Sequence, residues 1–206
     1  RRTTEAEIEK EEAAARAEAH ARTKVAVDEA LGSMGGLAKI NSITNITRGF
    51  KTFDSESREI EDPFAEDDRV AWVRFTRAAG QRVKIIGDDY LTTNAQRVAE
   101  AKVDAACNAV LIKVNQAGTL TEAKAALDAG RKAGFGTIVS ARSGESEDVT
   151  VAHLAVGWNA GQLKVGSFAR SERMAKWNEV LRIEESIGAD AVFAGAGALP
   201  IRRPVT

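Results

Sequence analysis

Five short stretches of this chain close on residues able to do acid–base or anion chemistry. Glu61 and Asp62 end the run that starts at Ile60, and Asp88 and Asp89 end the run from Val83. Lys113 sits late in Ala109–Gln116, and Lys164 late in Gly161–Gly166. Between them, Thr137-Ile138-Val139 runs straight into Ser140-Ala141-Arg142-Ser143-Gly144-Glu145-Ser146-Glu147-Asp148. Two carboxylates from neighbouring strands repel each other unless a cation lies between them. An all-oxygen set of this kind suits Mg²⁺, which keeps waters or substrate oxygens as its other ligands. Two lysines and an arginine nearby suit an anionic substrate, and a lysine in such company can serve as a base. Taken singly, each is an ordinary solvated loop charge, and Ser140–Asp148 is a turn that caps the next helix. The argument for a site rests on six of them, Glu61, Asp88, Lys113, Arg142, Ser143 and Lys164, recurring at successive strand ends.

The elements that must position them alternate regularly. Ile60 to Phe64 reads as a strand end closed by a proline, followed by a helix around Ala71–Thr76. Val83–Asp89 is a second strand, and Asn94 is placed to cap a helix running to Val103. Ala109–Gln116 is a third strand, with a helix from Leu120 to Ala133 that stops at Gly134. Phe135–Ser140 and its helix Val149–Trp158 come next, then a short strand at Gly161–Gly166 and a last helix from Arg170 to Ser186. Strands alternating with helices at this spacing predict an α/β fold with about five parallel strands. Right-handed crossovers then bring every strand's C-terminal end to one face.

Upstream the pattern is different. Thr4 to Leu31 is rich in Ala, Glu, Lys and Arg and predicts a charged helix, solvated or lying on a partner. Gly32-Ser33-Met34-Gly35-Gly36 is a break with no nucleotide-binding pattern. Ile40 to Ser57 alternates weakly and predicts one or two short strands or a loop. The expected division is therefore a charged extension and break over 1–36, an irregular connector over 37–58, and the α/β unit over 59–206.

The 206 residues are 44% apolar and 29% charged, as in a globular α/β protein. A net charge of −1 gives no bulk attraction to nucleic acid or to an anionic membrane. No apolar run approaches a bilayer span, and the start lacks the apolar core of a signal peptide. Cys107 is the single cysteine, which excludes an internal disulfide and leads us to expect a cytoplasmic protein. Cys107 itself reads as a small buried apolar residue. His153 reads as a surface or packing residue, and Trp72, Trp158 and Trp177 as helix residues packed against the sheet.

In order and spacing, Ile60–Asp68, Gly87-Asp88-Asp89, Leu111–Gln116, Ser140–Asp148 and Gly161–Lys164 resemble the C-terminal half of enolase. Arg170–Arg173 with Leu181–Glu185 is similar to that family's last helix, and the resemblance runs from about Glu59 to Gly195. It implies a partial (β/α) barrel and a Mg²⁺-dependent lyase interconverting 2-phosphoglycerate and phosphoenolpyruvate. It further implies Glu61 and Asp88 as metal ligands and Lys113 as the base. Lys164 is implied at the substrate carboxylate, and Arg142 and Ser143 at its phosphate.

Two departures accompany the resemblance. Ala141 stands where the family has histidine, and residues 1–58 show no match to the third metal-binding aspartate, the acid glutamates or the phosphate-covering loops. Five strands cannot close an eight-stranded barrel, so the open edge beside the Glu61 strand is expected to be covered by residues 1–58 or by another chain or copy. Two functions follow from different classes: an enolase-type enzyme, or one piece of one, and a non-catalytic relative serving as a subunit of a larger, for example cytoskeletal, assembly.

Overall fold

The computed structural model describes residues 52–54, 59–194 and 198. The expected N-terminal charged helix, the break at 32–36 and most of the connector 37–58 lie outside the described residues. Among the described residues, six strands form one sheet in chain order: β1 (Thr52–Asp54), β2 (Glu59–Glu61), β3 (Lys84–Gly87), β4 (Ala109–Ile112), β5 (Gly136–Ser140) and β6 (Gln162–Lys164). From β2 to β6 all neighbours are parallel, as the alternation predicts, and they form the partial barrel that the resemblance implies. β1 is antiparallel and pairs Phe53 with Ile60, so it covers the outer edge of β2. The weak alternation before Ser57 thus yields one strand among the described residues.

Helices α1 (Arg69–Ala79), α2 (Ala95–Asp104), α3 (Val114–Ala117), α4 (Leu120–Ala133), α5 (Thr150–Gly157) and α6 (Ser171–Ile187) connect or follow the strands. Their starts are written in the sequence. Asp68 accepts the Ala71 N–H at 3.0 Å, and Asn94 accepts those of Gln96 and Arg97. Thr119 accepts from the Glu122 amide while its hydroxyl donates to the Glu122 carboxylate at 2.7 Å, so groups left unpaired at the helix start find partners. α4 ends on Gly134 in the left-handed conformation, as expected.

Strand residues alternate between two faces. Ile60, Ile85, Val110, Ile112 and Val139 turn outward and pack under the helices with Trp72, Phe75, Val98 and Leu127. Ile86, Ala109, Leu111 and Ile138 form a smaller apolar layer on the concave side. α4 lies close on this sheet because Gly130 has no side chain there: a Cβ would stand 2.8 Å from Val110 Cγ1.

Two expectations need correction. The third strand was expected to run to Gln116, but it ends at Ile112, and Lys113 caps the short α3. The Lys113 N–H is taken by the Thr93 hydroxyl at 2.9 Å rather than by a strand, and its carbonyl accepts from Gln116. Trp177 was expected to pack against the sheet, but it stacks on Phe168 with ring centroids 4.9 Å apart. Trp72 is fully buried and stacks on Tyr90, and Trp158 packs half-buried against the main core. No described helix is long and apolar enough to cross a membrane.

Candidate active site

The C-terminal ends of the parallel strands face one cavity of about 350 Å³. Glu61 and Lys164 are the last residues of β2 and β6, while Asp88 and Lys113 come one residue after β3 and β4. Arg142 and Ser143 follow β5 through Ala141. All six sequence-predicted residues line this cavity, together with Asp89, Ala141 and Arg173. Ends of several different strands meeting at one rim is the usual seat of chemistry in barrel folds.

Opposite charges are matched across the rim. Lys113 Nζ pairs with Asp88, both nearly buried, and Lys164 Nζ reaches across the concavity from β6 to Glu61 on β2. The other Asp88 oxygen accepts from Gln116 Nε2 at 3.0 Å. Thr93 completes this cluster, accepting from the Lys113 amide and donating to Gln116 Oε1 at 2.7 Å. Arg142 leans on Asn115, 3.3 Å from its guanidinium.

Asp62 has a different task from its neighbour Glu61. Its two oxygens accept the backbone N–H groups of Asp88 and Asp89 at 2.9 and 3.0 Å, which fixes the turn that presents Asp88. Carboxylate oxygens of Asp62, Asp88 and Asp89 lie within 4.8 Å of one another, a hard, all-oxygen group able to hold a cation. Glu61 is not in this group; it is turned toward Lys164.

A family model of the enolase C-terminal TIM barrel domain matches residues 21–200. The chain belongs to the enolase family. Enolase of Solanum lycopersicum is 49% identical over 158 residues, which is 76% of this chain and 35% of that protein. The chain thus spans about a third of the length of the curated relative it matches. The family match begins well upstream of Glu59, where the quoted motifs start.

Sequence reasoning gave no individual role to several residues that hold this rim in place. Gln116 and Thr93 orient Asp88 and Lys113, and Arg173 on α6 lines the cavity while donating to the carbonyls of Val165 at 2.6 Å and Ser143 at 3.2 Å. Glu145 Oε1 accepts the Arg142 N–H at 2.5 Å. Asp148, two residues before Thr150, accepts its N–H at 2.9 Å, and the Thr150 amide and hydroxyl hold the Asp148 carboxyl below the usual range. Residue type alone does not flag these, since each is a common polar residue whose partner lies far away in the chain. His153 is exposed and pairs with Glu179 at 2.9 Å, away from the rim. A larger cavity of about 720 Å³ lies elsewhere, beside α2, lined by Arg69, Tyr90, Arg97 and Asp104 and by none of the six rim residues.

Proposed function

We propose that the rim is the base and anion side of an enolase-type lyase centre acting on a phosphorylated three-carbon acid, 2-phosphoglycerate or phosphoenolpyruvate. The observation that carries this reading is the convergence of two lysine–carboxylate pairs with Arg142 and Ser143 in one cavity of a family fold. Lys113 would take the proton α to the substrate carboxylate. Lys164 would hold that carboxylate, and Arg142 with Ser143 the phosphate. The donors are of the kind Mg²⁺ takes, hard carboxylate oxygens of Glu61 and Asp88, and the ion would compete for them with Lys164 and Lys113. When bound, Mg²⁺ would supply positive charge against the doubly negative carboxylate formed by proton loss.

The same reading makes the chain inactive alone. Elimination needs an acid for the departing hydroxyl, and no residue on this rim is assigned that part. Ala141 also puts an apolar methyl on the cavity wall where the family has a histidine. Removing one preorganised donor from such a site typically costs about 10²–10³ in rate. We expect no dehydration of 2-phosphoglycerate by the isolated chain in Mg²⁺, followed by phosphoenolpyruvate absorbance. Turnover by the wild type that vanishes in Lys113→Ala would overturn that expectation and restore a self-sufficient enzyme.

A second reading is a non-catalytic, enolase-related subunit of a larger, for example cytoskeletal, assembly. It draws support from Phe168, Val192 and Phe193, which are large, apolar and at least 78% exposed. On either reading another chain or copy would cover the β6 edge, the location would be cytoplasmic, and residues 59–206 would act as the main unit, with 1–36 appended and the 37–58 connector adding β1 to its sheet. The solution mass, with and without a chain supplying the rest of an enolase, separates these cases. A monomer that ignores such a partner counts against both.

A further inference from the structure

Lys176 is the one buried residue of the seventeen in α6, and its side chain is fully shielded from solvent. Lysines on helices normally keep the ammonium in water, because burying a charge is unfavourable unless it is fully paired. Here the pairing is complete: three donors meet three acceptors. Lys176 Nζ lies 2.9 Å from Glu145 Oε2, 2.8 Å from the Ser146 carbonyl and 3.0 Å from the Glu172 carbonyl. The second Glu145 oxygen accepts the Arg142 N–H at 2.5 Å. An unbroken line of contacts therefore runs from the buried ammonium to the backbone of Arg142, although Lys176 does not line the rim cavity.

We infer that Lys176 is a positioning residue for the anion contacts of Arg142 and Ser143, acting through Glu145. This rests on the rim being an anion site. The carboxylate of Glu145 is held by the ammonium in the one orientation that meets the Arg142 amide. Fixing that amide fixes where the guanidinium and the neighbouring hydroxyl begin. One turn earlier on the same helix, Arg173 holds the Ser143 carbonyl, so both backbone ends of the pair are set by α6. A neutral side chain at 176 removes the reason for Glu145 to point inward, and the loop loses its register while the rest of the rim stays.

The test uses the full chain, amide exchange by NMR and titration with inorganic phosphate. Lys176→Met is expected to speed exchange at the Arg142 amide, to leave the Thr93-held Lys113 amide unchanged, and to weaken phosphate about tenfold or more, as small misplacements of binding groups do. Glu145→Ala is expected to do the same and serves if Lys176→Met does not fold. Arg142→Ala tests the underlying reading and should abolish phosphate binding. If phosphate binding survives in Lys176→Met and Glu145→Ala but is lost in Arg142→Ala, the positioning role is overturned and the site stands. Equal loosening of the Arg142 and Lys113 amides also overturns it, because Lys176 is then only a structural charge. If Arg142→Ala binds phosphate like the wild type, or the wild type binds none, the anion site itself falls and the positioning role with it.

Discussion

The concave side of the sheet carries two polar clusters built largely from the same strands, and they have opposite characters. At the N-terminal end, Lys84 of β3 reaches Glu59 of β2 and Gln162 of β6, and Gln162 Nε2 also donates to Glu59 at 2.9 Å. At the C-terminal end, two residues further along β2 and β6, Glu61 meets Lys164, with Asp88 and Lys113 beside them. A step of two along a strand keeps the same face, so both clusters point into the concavity. The layer of Ile86, Ala109, Leu111 and Ile138 lies on that same face. Lys84 is 1% exposed and lines neither cavity, whereas the upper cluster borders open space and the loops that follow β3, β4 and β5. Similar residue chemistry becomes a strut at one end and a site at the other. What separates them is whether the chain turns into a loop that leaves room for a ligand.

This difference sets the largest expected effect. Breaking a buried ion pair by removing one partner costs about 3–5 kcal/mol, because the remaining charge is stranded. Lys84→Ala should therefore lower the free energy of unfolding in urea by that order. Replacing both partners, as in Lys84→Met with Glu59→Leu, should recover most of the loss, since matched apolar groups need no counter-charge. A loss below about 1 kcal/mol for Lys84→Ala, the level of an exposed pair, would show that the lower cluster is solvated and that the contrast is false.

At the rim the corresponding substitution should be milder. In Lys113→Met, Asp88 keeps the Gln116 hydrogen bond, and the cavity admits water to its freed oxygen. The expected cost is about 1–3 kcal/mol, the range for one group left without its partner. Urea denaturation of the two single variants side by side decides the matter. A loss at Lys113 equal to that at Lys84 would mean that the rim is as closed as the lower end, and a displaceable counter-ion for a ligand would have to be abandoned.

The sequence disclosed the two clusters unequally. Glu61, Asp88, Lys113, Arg142, Ser143 and Lys164 were legible because each follows an apolar run, and the parallel order of the runs sends their ends to one rim. The end of β4 was misplaced because Val114 continues the apolar pattern, while the deciding contact, Thr93 to the Lys113 amide, comes from a turn twenty residues away. Glu59, Lys84 and Gln162 gave no signal at all: they sit at strand starts, and their union depends on how far the sheet curls. Lys176 was hidden for the opposite reason, since a lysine on a charged helix looks solvated until its acceptors are known. Trp177 was assigned to the sheet from its place on a helical segment, which does not specify a partner.

The smallest effect expected belongs to the convex face, where polar groups are few. Burial pushes the Cys107 thiol from about 9 up to about 12, and burial is also the main cause of the rise of Tyr90 from about 10 to about 12. Both groups are neutral when protonated, so the folded chain resists losing their protons while the unfolded chain gives them up earlier. Their contribution to stability is fully present below about pH 9 and is lost as the pH rises from there toward about 12. For Cys107 the slope approaches about 1.4 kcal/mol per pH unit once the unfolded thiol is ionised. Between about pH 8 and about pH 10 this amounts to roughly 1 kcal/mol or a little more, at the low end of the rim prediction and well below that for Lys84. Thermal midpoints across that interval would fall more steeply for the wild type than for Cys107→Ala, which has no thiol to ionise. Parallel slopes in the two proteins would mean that Cys107 ionises as readily folded as unfolded. The helix-covered side would then be open to water, and the division into a sealed convex face and an accessible rim would fail on its apolar side rather than its polar one.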